Sequence, residues 1–350
     1  MTAGDGWATG GGTITVTVVA AAIAVSPSGT LVVHENGTQA AVLVSLNAPP
    51  TATISVAVSS SDPTEFTVAP ALLVFSAADW NVPQVVTVTG VDDAVVDGDI
   101  SASLVFAPAV GGGNFGGVTA PARTVVCLDD DTASLVVVES GGNTRVTEGG
   151  ASDTISVTLG SAPLGTVTIT LTTDAQLTVS PASFQVDAST WTTPRTIAVS
   201  AIDDILANGN RSSVISLTAS GGGYDGLPSV SVAATIVDND AAALVASPAA
   251  VTVAESGTTA QVRLALSTRP QTAVTITAAS SDVGEATVSP VSQVVQPEAW
   301  QTPVIFTVTG ADDSEPDGNA AFSVSFTPSG DAAFTGQPPA VVAGVCLDDD

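Results

Sequence analysis

The sequence predicts an all-β chain of tandem antiparallel sandwiches, on three observations. Its 350 residues are 45% hydrophobic and only 11% charged, so a core can be buried. The apolar residues are mostly Val and Ala, with Val, Thr and Ile favouring strands, while 32 glycines and 21 prolines supply turns. The third observation is internal repetition, which sets the organisation.

Trp80, Trp191 and Trp300 recur about 110 residues apart, as expected of tandem copies. Each has a proline three residues later (Pro83, Pro194, Pro303) and another ten residues earlier (Pro70, Pro181, Pro290). Twelve residues after each Trp comes an acidic pair, then a loop closed by Asp97-Gly98, Asn208-Gly209 or Asp317-Gly318. Each copy ends in an acidic run after an apolar strand, CLDDD, IVDND and CLDDD. These marks place the repeats at 23–131, 132–240 and 241–350.

The elements of the first repeat follow in order. Alternating segments predict strands near 30–34, 39–46, 51–59, 65–68, 72–76, 84–89, 101–107 and 122–128. Thr, Ser and apolar residues alternate in 53–58 and 85–89, which suits sheets with one face buried and one wet. Seven or eight short strands in about 110 residues read as an immunoglobulin-like sandwich without the Cys…Trp…Cys pattern of antibody domains. Cys127 and Cys346 occupy equivalent last-strand positions and are expected to be small buried hydrophobes. No Gly/Ser linker follows the acidic runs, so the three sandwiches are expected to form an elongated rod with restricted junctions.

Residues 1–22 read as the remnant of a preceding repeat, with an alternating strand at 13–19. A secretory leader fits less well, because no basic residue precedes the apolar stretch. Internal Thr alternation and a Ser-Pro-Ser-Gly turn argue against a membrane span. The segment is therefore expected to belong to a longer repetitive protein whose other repeats are its neighbours.

Charge and composition remove several functions. The net charge is −28, with 34 acidic residues against 6 basic ones, all arginine. Nucleic-acid binding needs clustered basic residues, and anionic lipid would be repelled. With one histidine, two cysteines and no lysine, a nucleophilic triad could only use His34, a zinc site lacks its usual several His or Cys ligands, and a P-loop or Schiff-base lysine is absent. An enzyme would have to work with carboxylates alone, and three similar clusters fit repeated binding better than one active site.

Most acids stand at repeated strand ends. In the first repeat they are Glu35, Asp62, Asp92, Asp93, Asp97, Asp129, Asp130 and Asp131. In the second they are Glu148, Asp174, Asp203, Asp204, Asp238 and Asp240, with Asn208 and Asn239 replacing acids. In the third they are Glu255, Asp282, Asp312, Asp313, Asp317, Asp348, Asp349 and Asp350. If the strands before the Asp pair and before the terminal run point the same way, both clusters cap one pole. Two carboxylates about 4 Å apart repel by about 1 kcal/mol in water, and more where solvent is excluded. A cation would relieve this, and Ca²⁺ takes six to eight oxygens in a flexible shell.

The early Glu-Asn-Gly, Glu-Gly and Glu-Ser-Gly, the Asp after the third strand, the Asp-Asp loop and the terminal Asp-x-Asp resemble Calx-β repeats. The resemblance covers nearly the whole chain. It implies Ca²⁺-binding sandwiches of the kind found in exchangers, integrin subunits and large adhesion proteins, hence an extracellular or cell-surface location and a protein or glycan partner. It also implies that the acids above, with Asn208, are the calcium ligands. The chain departs from the family pattern at 94–98, where glutamates usual after the aspartates are missing, and in its Trp-x-x-Pro signature. Two alternatives accompany this reading. Trp80, Trp191 and Trp300 could stack on sugars in a carbohydrate-binding module, although an aromatic before a strand more often plugs a sandwich end. The acids could also serve turns and solubility in a spacer without metal.

Overall fold

The computed structural model describes residues 19–312, 314, 316 and 318–349. The strand expected at 13–19 falls almost wholly outside them, as do Asp313, Asp317 and Asp350. The described chain is β throughout, with three short 3-10 turns. No helix among the described residues is long and apolar enough to cross a membrane.

Unit one contains β1 (Ile23–Ser26), β2 (Leu31–His34), β3 (Gln39–Leu46), β4 (Ile54–Ser60), β5 (Phe66–Ala69), β6 (Leu72–Phe75), β7 (Gln84–Gly90), β8 (Ile100–Phe106), β9 (Val110–Gly111) and β10 (Arg123–Leu128). One sheet has the order β1-β3-β7-β5, and the other β2-β10-β8-β4-β6 with β9 beside β4. The period-two pattern explains the faces. In β4, Ile54, Val56 and Val58 point inward, and in β7 Val86 and Val88 do the same while Val85 faces solvent. The two inward faces meet over Phe66, Leu73, Phe75 and Leu104, all fully buried. Each such side chain contributes roughly 1.5–3 kcal/mol through burial.

Two further pairs of sheets repeat this immunoglobulin-like arrangement along the chain, each around its own core. The antiparallel expectation needs correction at one strand pair per sandwich. β2 pairs with β10 in parallel, as do Thr144–Thr147 with Val230–Val237 and Ala250–Ala254 with Ala340–Leu347. The early strand crosses to the second sheet instead of forming a hairpin with β3, and so lies beside the last strand in the same direction. Cys127 and Cys346 are free and buried in the last strands, as expected.

The sheets close tightly where β2 and β7 end. A Cβ on Gly90 would lie 2.0 Å from the His34 carbonyl oxygen, and one on Gly310 would lie 2.0 Å from that of Ala254. Glycine at these positions lets the backbones approach and presses the residue after β2 into the interior. Trp80 lies toward the opposite pole. Its carbonyl accepts the Leu46 N–H at 2.9 Å, at the far end of β3. All three tryptophans are half-buried and pack on their own cores. This favours the plug role over a sugar platform.

The loop after β7 also reaches the next unit. Val95 bridges Ala162, and the Ala162 N–H donates to Ala94 O at 2.6 Å. One unit later the Arg269 N–H donates to Ile205 O at 3.0 Å, and Ala207 packs on the third core.

Candidate metal centre

Strand direction builds the acidic end of unit one. His34 stands opposite Leu128 in the parallel β2–β10 pair, so the next residues, Glu35 and Asp129, emerge side by side. The Glu35 N–H donates to Leu128 O at 3.2 Å. The loop after β7, carrying Asp92, Asp93 and Asp97, is tied to the same pole because the Gly98 N–H donates to Asp129 Oδ2 at 2.7 Å. Gly98 makes this turn at φ 80°, a conformation that favours glycine. Gly209 and Gly318 repeat it, donating to Asp238 and Asp348.

Glu35, Asp129 and Asp131 each offer an oxygen within 4.8 Å of the others. Glu35 is only 2% exposed. Its Oε2 and the Oδ2 of Asp131 are buried without a hydrogen-bond partner. Unpartnered buried carboxylate oxygens are costly, and they are what a cation would engage. Burial first, then the charges of Asp129, Asp93, Asp97 and Glu65, push the Glu35 carboxyl from its ordinary 4.5 up to about 7. Burial, followed by Asp129, Asp130, Asp93 and Asp92, also raises Asp131.

These shifts fix the sign of a pH effect. A carboxyl whose folded value is raised contributes stability below the unfolded value and loses it as pH rises through the folded one. Without metal, melting temperature is expected to fall between about pH 4.5 and pH 7. Glu35→Gln should flatten this fall, and a wild-type profile rising over the same interval would overturn the assignment.

Several expected ligands have local partners instead. Asp62 Oδ1 accepts from the N–H and hydroxyl of Thr64, Asp174 Oδ1 from the Gln176 N–H at 2.9 Å, and Asp282 Oδ1 from the Gly284 N–H at 3.0 Å. All three cap their own turns. Asp92, Asp130, Asp312 and Asp349 are exposed. In unit three, Glu255 is 2% exposed and Asp348 holds the Gly318 N–H.

Unit two solves the same electrostatic problem differently. Glu148, Asp204 and Asp240 converge as a triplet, and Glu148 is fully buried. Arg211 places its guanidinium against Glu148 Oε1 and 3.3 Å from Asp204 Oδ2. Burial raises the Glu148 carboxyl, and Arg211 opposes that rise. Asn239 turns its amide nitrogen to Asp203 Oδ1 at 3.1 Å and to Glu148 O at 2.8 Å, acting as a donor. Asn208 lies outside the triplet, its Oδ1 buried and without a partner. A side-chain cation thus sits among the carboxylates of this unit.

Glu65 and Glu285 were not among the ligands expected from the sequence. Both are buried and belong to a second set of convergent groups, Glu35–Glu65–Cys127 and Glu255–Glu285–Cys346. Glu65 precedes β5, and its carbonyl accepts the Val91 N–H at 2.9 Å, which fixes it at the acidic pole. The available signal was the glutamate three residues after Asp62 and Asp282, present in the two repeats that carry a last-strand cysteine.

No protein-family model matches the chain, and no curated protein does. Solved structures that align with the chain include the calcium binding domain CBD12 of CALX1.1, at 20% identity and TM-score 0.25, covering 56% of this chain and 78% of that one. Titin domains I67–I69 match at 7% identity and TM-score 0.29, covering 95% of this chain and 100% of that one. Domains 4 and 5 of the S-layer protein SbsC match at 14% identity and TM-score 0.25, covering 61% and 98% respectively. At these values the likenesses carry no argument about fold or ligands, and the sandwich reading rests on the strand pairings above.

Proposed function

We propose that the chain is a calcium-binding, Calx-β-like repeat segment of a larger extracellular or cell-surface protein, with Ca²⁺ stiffening the joints between repeats. Its binding partner would be a protein or glycan presented at that surface. The observation that carries this reading is the Glu35–Asp129–Asp131 triplet with its two buried, unpartnered oxygens. Ca²⁺ would be held by these three, with Asp93 and Asp97 supplying further charge, and would neutralise carboxylates that otherwise repel. The loop carrying Asp93 also bonds to the next unit through Ala94 and Val95, so fixing the loop restricts the joint. Unit two is the weak member, because Arg211 already offsets its triplet.

The test is calorimetric titration of the whole chain with Ca²⁺. Asp131→Asn is expected to weaken the unit-one site at least tenfold, about 1.4 kcal/mol. Unchanged affinity and stoichiometry would remove Asp131 from the ligand set.

A further inference from the structure

Beneath the outer triplet lies the second set of groups. Glu35, Glu65 and the Cys127 thiol bring one ligand atom each within 4.8 Å of one another, and all three residues are buried. Glu65 is 7% exposed, and its Oε2, like that of Glu35, is buried without a hydrogen-bond partner. Two adjacent carboxyl groups so shielded from water are costly unless a positive charge meets them. Cys127 Sγ lies 3.2 Å from the Glu65 carbonyl oxygen, so the sulfur belongs to the same pocket. The arrangement recurs as Glu255, Glu285 and Cys346.

In unit two, Gln176 takes the place of Glu65, since its carbonyl likewise accepts the N–H of the residue after the β7-equivalent strand. Ile236 takes the place of Cys127, and opposite it in register stands Arg211. In units one and three the residues opposite the cysteine are Ile100 and Ala320. The second glutamate and the thiol therefore occur together, in the two units without the arginine. Where the chain supplies its own cation, both are gone.

We propose that Glu35–Glu65–Cys127 and Glu255–Glu285–Cys346 are inner metal sites that take a thiophilic divalent ion of the zinc and cadmium class, with each cysteine bound as thiolate. Sulfur makes the site a poor one for Ca²⁺ and a good one for such ions. Zinc bonds of about 2.0–2.3 Å place tetrahedral ligands about 3.5 Å apart, a small contraction of the present cluster. On binding, the thiol proton leaves to solvent and a metal–sulfur bond forms, with no change in oxidation state. Glu35 belongs to both the outer and the inner triplet, so its carboxylate can bridge the two.

The probe is Cd²⁺, added to the folded chain and, in parallel, present during refolding, with the ultraviolet sulfur-to-metal charge-transfer band as readout. The expected result is a band saturating at two ions per chain. It should be halved in Cys127→Ser and lost in the Cys127→Ser/Cys346→Ser double variant. Glu65→Gln, which installs the residue unit two carries there, should weaken the unit-one component at least tenfold. A Ca²⁺-dependent melting shift that persists in the double variant separates this site from the outer one. Absence of the band under both conditions, or Cd²⁺ binding without a sulfur band, would overturn the proposal.

Discussion

Replacing Arg211 with isoleucine, the residue at the equivalent place in unit one, is expected to destabilise unit two by about 1–3 kcal/mol in chelator. The size follows from what is left behind. Glu148 is fully buried and in contact with the half-buried guanidinium, and removing the arginine leaves the buried carboxyl without its partner. The same substitution leaves Glu148, Asp204 and Asp240 converging with no resident cation. Calcium should therefore raise the melting temperature of the variant by more than that of the parent chain, restoring part of the loss. Differential scanning calorimetry of the whole chain, with and without Ca²⁺, reads both effects. An unchanged melt in chelator would mean that Glu148 is protonated and that the pair contributes nothing.

Calcium itself should produce the other large effect. A ligand that binds only the folded state at a hundredfold excess over its Kd stabilises by about 2.7 kcal/mol. Units one and three should gain this in millimolar Ca²⁺, and unit two should gain little. The gain should grow as pH rises toward 7, because the metal competes with the proton for Glu35, whose carboxyl burial pushes up to about 7. Mg²⁺ at matched ionic strength provides the control. If it raises the melt equally, the effect is charge screening of a −28 chain and no selective site exists.

The fold was legible because its signals are local. The alternation in β4 and β7 can be read along the chain, and the tryptophan and proline marks set the period. A shared pole for the Asp93 loop and the 129–131 run was conditional on strand direction, and the Gly98–Asp129 bond joins them. The parallel β2–β10 pair was not legible. It depends on which sheet the early strand joins, a choice made by long-range packing around Gly90 and not by the composition of Leu31–His34. For the same reason Glu65 escaped notice. A glutamate beside a turn looks solvated until the fold brings Cys127, 62 residues away, against its carbonyl. Nor was the position of Arg211 against Glu148, 63 residues away, legible; it required the register in which Thr144–Thr147 and Arg211–Ser220 flank Val230–Val237.

The parallel pairing of β2 with β10 also decides how tension would pass through each sandwich. The chain enters near the tryptophan pole and leaves at the acidic one, so a pull on its two ends draws β2 and β10 in opposite senses along their shared axis. The four register partners from Leu31–Val125 to His34–Leu128 then carry the force together in shear, where a terminal hairpin would unzip one rung at a time. The carboxylates cluster where the force leaves the unit, at the mouth of this pair. An ion bound there by Glu35 and Asp129 would act as a clasp across the two strands that bear the load.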